Sequence, residues 1–142
     1  MDSTVQIVIM ELGMRLITFS VFGDNPIYCF GAVENARLAK EIYPDWIARF
    51  YVAQDVPEKY VTQIKDYGGE VILCERKNSY DGLNWRFRPL SESDVDVWIS
   101  RDADSRLSWR ERRAVDEWLD SDQTAHLLRD SHNHGYTIMA GI

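Results

Sequence analysis

The sequence predicts an α/β fold that is doubly wound, with a mostly parallel sheet and helices on both faces. Three observations predict it: short apolar, β-branched runs recur along the chain, segments with helical spacing separate them, and glycine or proline marks most boundaries. Strands that alternate with helices in this way favour right-handed crossovers, which place each helix over the sheet. Ligands of such sheets bind beyond the carboxyl ends of the strands. Candidate site residues are therefore those that follow a strand.

The first half of the chain predicts two strands and two helices. Residues 16–22 form an apolar strand that stops at the turn residues 23–26. Apolar residues then recur at helical spacing until Pro44, and residues 47–52 form a second strand. Pro57 and Glu58 open a second helix, which Gly68 and Gly69 end.

The second half predicts two more strands and a last helix. Residues 71–74 and 95–99 are the third and fourth strands, and residues 75–93 combine a loop with a short helix. The fourth strand is nearly continuous in apolar character, so we expect it inside the sheet. Ser108 and Glu111 form a capping-box pattern for the last helix. The core face of that helix is predicted to carry Ala114, Val115, Trp118 and Leu119.

Residues 14–142 are predicted to form one α/β domain. Residues 1–13 are either a leader or a short extra strand, and the sequence leaves both open. The chain ends on the apolar residues 138–142, which leads us to expect a domain that is incomplete at its C-terminus. An apolar surface left uncovered in this way favours a homo-oligomer.

Composition excludes several classes of partner. The formal net charge of −7 opposes a surface built to neutralise nucleic-acid phosphates or an anionic membrane. Cys29 and Cys74 are the only cysteines and lack a paired spacing, which indicates a reducing compartment rather than a disulfide framework. Apolar runs fall short of the ~20 residues that a transmembrane helix needs. We expect a cytoplasmic protein without a transmembrane segment.

The fourth strand runs directly into two carboxylates, Asp102 and Asp104. Residues two apart in an extended chain project to the same side, so both carboxylates are expected to face one point beyond the strand. Oxygen ligands of this kind suit a hard divalent cation such as Mn²⁺ or Mg²⁺ and leave room for phosphate oxygens. The cation would bridge a nucleotide diphosphate and neutralise it on departure.

Other interpretations of this carboxylate pair lead to different functions. A solvated loop or a helix cap is the plainest alternative, although Ser108 already supplies a cap. A calcium-binding EF-hand loop is excluded because Arg113 stands where its bidentate Glu is required. An aspartate-dependent phosphatase-type hydrolase remains an alternative, but here the pair follows the fourth strand and meets Arg106.

Several segments together resemble one family, the A-type (GT-A) glycosyltransferase-like proteins, especially small bacterial and viral nucleotide-diphospho-sugar transferases. The resemblance covers residue 16 to the end. Its motifs are ITFS at 17–20, GDNP at 23–26, AKEIYP at 39–44, RFYV at 49–52, WRF at 85–87 and RDADS at 101–105. The combination is specific, whereas each segment alone is not.

The resemblance implies sugar transfer from a nucleotide-diphosphate donor, with Asp102 and Asp104 binding manganese or magnesium against the diphosphate. It also implies that the nucleoside lies near Phe19 and Ser20 and that Arg86 contacts the donor. From its place after the second strand, Asp55 either contacts the base or ribose or caps the following helix.

His132 and His134 flank Asn133 near the C-terminus. A histidine pair at this spacing can share a metal or a polar pocket, and a surface turn next to Gly135 is the alternative. Similar proteins have a histidine-containing segment followed by a glycine-rich apolar stretch. The resemblance therefore implies a donor-side or acceptor-side role for the two histidines.

Two functions remain open at this point. The intact carboxylate pair favours a metal-dependent glycosyltransferase or its donor-binding half. The early end of the chain favours a non-catalytic nucleotide-binding or interaction domain, because such transferases place acceptor-binding residues further along. The sequence identifies neither the acceptor nor a catalytic base.

Overall fold

A computed structural model describes residues 13–78 and 80–124, so most of the predicted leader lies outside it. Four strands alternate with three helices and a long 3₁₀ segment in that part of the chain. The order is β1 (Met14–Val21), α1 (Pro26–Ile42), β2 (Ile47–Ala53), α2 (Glu58–Asp66), β3 (Glu70–Cys74), the 3₁₀ segment (Asp81–Ser91), β4 (Val95–Ser100) and α3 (Trp109–Leu119). No helix among these residues is long and apolar enough to cross a bilayer.

The four strands form one parallel sheet in the order β3-β2-β1-β4. This confirms the predicted α/β doubly wound fold. The chain moves outward from β1 to β3 and then returns to the other side of β1, so strand order reverses between β1 and β4. Within the described ranges β4 pairs with β1 alone and lies at the edge, which corrects the expectation of an inner strand. Five of its six residues are partly buried and Asp96 is exposed, so its apolar character does not require a neighbouring strand on each side.

One face of the sheet packs against α1 and α2. Asn25 caps α1 by accepting a hydrogen bond from the amide of Ile27, and Pro26 follows in the first turn, where its missing N–H costs nothing. Small side chains on the buried side of α1 allow it to lie close to the strands. Phe19 and Phe50 stack on this face with 4.7 Å between ring centroids.

The 3₁₀ segment covers the opposite face, where a loop with a short helix was predicted. The hydroxyl of Thr18 donates to the carbonyl of Arg86 at 2.6 Å, and the indole N–H of Trp98 donates to that hydroxyl at 2.7 Å. Phe87 meets Trp98 edge-on. A buried polar side chain in the middle of β1 therefore anchors the segment.

The last helix begins as predicted, because the Ser108 hydroxyl accepts a hydrogen bond from the amide of Glu111 at 3.2 Å. On its core face Val115 is buried, while Trp118 and Leu119 are partly buried. Arg112 donates to the carbonyl of Ile42 at 3.2 Å, which fixes α3 against the end of α1.

Candidate functional site

The carboxyl ends of β1 and β4 lie side by side where the strand order reverses. The amide of Arg101 donates to the carbonyl of Thr18 at 3.0 Å, so pairing with β1 continues one residue beyond β4. Asp102 is the next residue and thus leaves the sheet directly at its edge. This crevice is where ligands bind in open α/β sheets.

Three residues predicted from the sequence form one connected group in this crevice. The amide of Arg86 donates to the Ser20 hydroxyl at 3.0 Å, and its guanidinium donates to the carbonyl of Arg101 at 3.0 Å. The same guanidinium forms an ion pair with the Asp102 carboxylate. The side chain of Arg86 is 11% exposed and that of Asp102 is 41% exposed. The cation is therefore embedded, and the carboxylate still faces solvent.

Two buried polar atoms next to this group have no hydrogen-bond partner among the described residues. They are Nε of Arg86 and Oγ of Ser100, the last residue of β4. Polar atoms withdrawn from water normally have a hydrogen-bond partner. The crevice thus retains hydrogen-bonding capacity that the fold itself does not use.

Asp104 is exposed and lies in a turn rather than in the extended segment we expected. The amide of Ser105 donates to the carbonyl of Asp102 at 3.3 Å, which bends the chain back on itself. The spacing of two residues therefore does not by itself place both carboxylates on one side. The direction of the Asp104 side chain relative to that of Asp102 depends on the contacts that hold this turn in place.

Asn35 and Gly31 of α1 hold that turn, and the sequence interpretation missed both. Asn35 is 0% exposed and hydrogen-bonds the backbone of Ser105 at 2.7 Å and of Leu107 at 3.0 Å. Gly31 packs so closely that an added Cβ would lie 2.1 Å from the carbonyl oxygen of Ala103. The available signal was a polar residue on the apolar face of a predicted helix, where an unpaired amide would be costly.

Asp55 belongs to a second polar group at the ends of β1 and β2. Its carboxylate accepts a hydrogen bond from the amide of Gly23 at 2.9 Å and pairs with Arg76 at 2.6 Å. It does not cap α2, whose N-cap residue is Pro57 without a side-chain hydrogen bond. Arg76 also lies over the ring of Phe22, with its guanidinium carbon 5.0 Å from the centroid. The helix-cap interpretation of Asp55 is therefore wrong.

The remaining predicted site residues lie elsewhere. Phe19 is fully buried on the helix side of the sheet, so it presents no surface to the crevice. His132 and His134 lie outside the described residues. Among residues near the turn after β1, burial raises the pKa of the Cys29 thiol, and the charges of Asp24 and Asp55 raise it further. Cys29 is therefore protonated at neutral pH and is not an activated nucleophile.

The oxygen donors near β4 match a hard divalent cation in kind. Asp102 and Asp104 supply carboxylates, which are the ligands that Mg²⁺ and Mn²⁺ prefer. In the part of the chain that the structure describes, no group of three or more His, Cys, Asp or Glu side chains is placed to hold a metal. A cation bound here would need further oxygen ligands, as Mg²⁺ sites completed by water and substrate phosphates do.

Comparison with known proteins leaves this site to be interpreted on its own geometry. No protein-family model matches the chain, and no curated protein matches it. The arrangement of residues at the carboxyl edge must therefore carry any functional conclusion.

Proposed function

We propose that the chain binds the diphosphate of a nucleotide sugar at the carboxyl end of β4, as a metal-dependent glycosyltransferase or its donor-binding half. The observation that carries the proposal is the connected group of Ser20, Arg86 and Asp102 at the point where strand order reverses. A buried cation beside a solvent-facing carboxylate offers both an anion-binding and a cation-binding element within one crevice.

In this proposal each side chain has a separate task. Asp102 and Asp104 supply oxygen ligands to Mn²⁺ or Mg²⁺, and Arg86 donates to a phosphate oxygen. Ser20 holds the backbone of Arg86 from β1, so the guanidinium approaches the ligand from a fixed position. A bound cation would neutralise the diphosphate as the sugar departs. Without such a metal ion, the net negative charge of the chain weakens its attraction for a diphosphate.

The polar group around Asp55 supports a site for the rest of the donor. Arg76, Asp55 and Phe22 lie at the same edge of the sheet as the Arg86 group, and Phe22 meets Trp85 edge-on between the two groups. An aromatic ring suits a base, which has a flat apolar face and polar edges, and the neighbouring charged side chains suit the hydroxyl groups of a ribose. We assign the nucleoside to this side of the crevice.

A second candidate is a non-catalytic nucleotide-binding or interaction domain. The ion pair between Arg86 and Asp102 favours it, because the guanidinium already neutralises the carboxylate that a metal requires. In that case the crevice binds an anion through Arg86 without any cation. The two candidates differ in whether a divalent ion strengthens nucleotide binding.

Calorimetry with a panel of nucleoside diphosphates, in manganese and in chelator, tests the proposal. We expect manganese to strengthen binding, and Asp102→Asn or Asp104→Asn to remove most of this gain without unfolding the chain. The matched control is Asp94→Asn, which makes the same charge change at an exposed position just before β4 begins. Equal affinity with manganese and with chelator, unaffected by the site variants, would support the metal-free domain instead.

The proposal also places the protein in the cytoplasm and allows a second copy of the chain as a partner. Cys29 and Cys74 are buried free thiols, as suits a reducing compartment. Leu73 on the outer strand is largely exposed, and Val97 and Ile99 of β4 are only partly buried. Association through a sheet edge would cover such side chains. Light scattering tests this, and a monomer at high concentration would rule it out.

A further inference from the structure

The amide side chain of Asn35 reaches from the middle of α1 into the turn after Asp102. Its Nδ2 donates to the carbonyl of Ser105 at 2.7 Å and to that of Ala103 at 3.4 Å. Its Oδ1 accepts a hydrogen bond from the amide of Leu107 at 3.0 Å. One side chain thus hydrogen-bonds three backbone groups in the five-residue segment 103–107.

The chemistry of this contact specifies asparagine. Both a donor and an acceptor are needed at one short side chain, and asparagine supplies two N–H donors and a carbonyl oxygen. Aspartate lacks the donor, and leucine lacks both. Since Asn35 is fully buried, any of its polar atoms left unpaired would carry a desolvation cost. The bonds to the turn satisfy that requirement, so the helix and the turn stabilise each other.

Gly31 fixes the other side of the same turn by contact rather than by hydrogen bonds. An added Cβ would lie 2.1 Å from the Ala103 carbonyl oxygen and 2.9 Å from the guanidinium of Arg106. The first of these is a backbone atom, so an alanine at this position would force the turn away from α1. Gly31 and Asn35 are one helical turn apart on the same face. Together they set the distance and direction of residues 103–107.

We infer that Asn35 is a positioning residue that, with Gly31, sets the directions in which Asp102 and Asp104 leave the end of β4. Asp102 immediately precedes Ala103, and Asp104 lies between the two residues whose carbonyls Asn35 holds. Loss of these bonds lets the turn relax, which changes the direction of Asp104 relative to Asp102. Only the consequence of this inference rests on the proposed function. If Asp102 and Asp104 bind a metal ion, then its affinity depends on Asn35, which does not contact the ion.

The test compares three variants in α1, each assayed where it is folded. Asn35→Ala removes the hydrogen bonds from α1 to the turn. Gly31→Ala keeps the Asn35 side chain but pushes the turn away from α1 by steric contact. Val33→Ala is the matched control, because Val33 is buried in the same helix and its apolar side chain makes no hydrogen bond to the turn. Affinity for the nucleoside diphosphate that binds wild type best is measured with Mn²⁺ and with chelator.

We expect Asn35→Ala and Gly31→Ala to reduce the manganese-dependent gain in affinity by about tenfold, as outer partners of metal ligands do. The affinity in chelator should change little, and Val33→Ala should keep the full gain even where it lowers stability equally. Substitution of a residue with only a structural role would change the affinity with Mn²⁺ and the affinity in chelator to the same extent. If Asn35→Ala keeps the full gain, the inference is overturned. Should that variant not fold, Gly31→Ala decides by the same criterion.

Hydrogen exchange separates this inference from the proposed function. If manganese does not strengthen binding to wild type, the proposed function fails, and the Leu107 amide, which donates to Asn35, then reports on the turn. Its exchange should be several-fold faster in Asn35→Ala than in Val33→Ala at matched global stability. Equal exchange in the two variants would show that Asn35 does not hold the turn, and would overturn the inference independently of any ligand.

Discussion

Two neighbouring residues at the end of β4 form ion pairs of opposite character. Arg101 turns to the helix side and pairs with Glu111 of α3, and each of these side chains is 4% exposed. Asp102 turns to the other side and pairs with Arg86, and its carboxylate remains 41% exposed. A pair withdrawn from water on both sides serves the fold. A pair with one solvent-facing member can exchange its partner for a ligand, which is the property that a binding site requires.

The two pairs differ in what a single substitution leaves behind. Removing one member of the Arg101–Glu111 pair breaks an ion pair in the interior, where each side chain is almost fully withdrawn from solvent. Removing Arg86 from the Arg86–Asp102 pair allows the half-exposed Asp102 carboxylate to rehydrate. We therefore expect large stability effects in the first pair and large ligand effects in the second.

Glu111→Gln should have the largest effect on stability. The neutral amide removes the negative charge that Glu111 places beside the buried Arg101 guanidinium, and we expect a loss of about 3 kcal/mol in the free energy of unfolding. Urea denaturation measures it, with Glu117→Gln, an exposed residue of the same helix, as the control. Equal losses in the two variants would show that the buried pair has no special role in the fold.

Arg86→Gln should have a smaller effect on stability, about 1 kcal/mol, because the exposed Asp102 carboxylate regains water. Its main effect should be on ligand binding. The affinity for a nucleoside diphosphate in chelator should fall, since the cation that attracts the phosphates without a metal is gone. Calorimetry in chelator checks this, and unchanged affinity would mean that Arg86 serves only to hold Asp102.

Tyr43 is a further buried ionisable group on the helix side of the sheet, where Arg112 lies over its ring. Burial raises the pKa of Tyr43 to about 12. The folded state therefore favours the neutral phenol, and this contribution is complete below the ordinary pKa of about 10 and is lost as the pH rises through 12. The hydroxyl has no partner among the described side chains and backbone groups. Tyr43→Phe should thus be nearly neutral at pH 7.

At alkaline pH the same variant should be more stable than wild type. Between about pH 10 and 12 the wild-type protein should lose about 2 kcal/mol relative to Tyr43→Phe, because ionisation there stabilises mainly the unfolded wild-type chain. Thermal unfolding across this range measures the difference. Parallel curves for the two proteins would show that the phenol ionises as freely in the folded state as in the unfolded one.

Asp45→Asn should have the smallest effect. A hydrogen bond from Arg112 lowers the pKa of Asp45, but the carboxylate is about half exposed, so we expect a loss of under about 1 kcal/mol. A lowered carboxyl pKa contributes stability above the ordinary value of about 3.9, and the contribution disappears as the pH falls through the folded value. The difference between variant and wild type should therefore vanish in acid. A difference that persists at low pH would point to lost packing rather than lost charge.

The sequence predicted the strands and helices well because hydrophobic periodicity depends only on residues that are close together in the chain. The alternation of apolar runs and helical spacing places all four strands and three helices, with β1 shifted by two residues at its start and one at its end. The strand pattern also placed Asp102 at the carboxyl edge of the sheet, where ligands bind. Ser20 and Arg86 were expected at the same site only from the family resemblance. Among the described strands β4 lies at the edge rather than inside the sheet, because an apolar run does not by itself require a hydrogen-bonded neighbour on both sides.

What the sequence did not predict depends on contacts between distant segments. Phe19 and Ser20 are adjacent, and only the packing of α1 and the 3₁₀ segment decides which of them faces the crevice. The turn at residues 102–105 is set by Asn35 and Gly31, almost seventy residues earlier. The motif is local, whereas the direction of its carboxylates is a tertiary property.

Paramagnetic broadening by Mn²⁺ tests the proposed metal and diphosphate site most directly. With a saturating nucleoside diphosphate and substoichiometric Mn²⁺, amide signals of Ser20, Arg86, Asp102 and Asp104 should broaden first. Signals near Asp94, which precedes the far end of β4, should persist. Asp102→Asn should abolish the selective broadening. Broadening that is centred on other carboxylates, or that is the same in Asp102→Asn, would contradict a metal and diphosphate site at the end of β4.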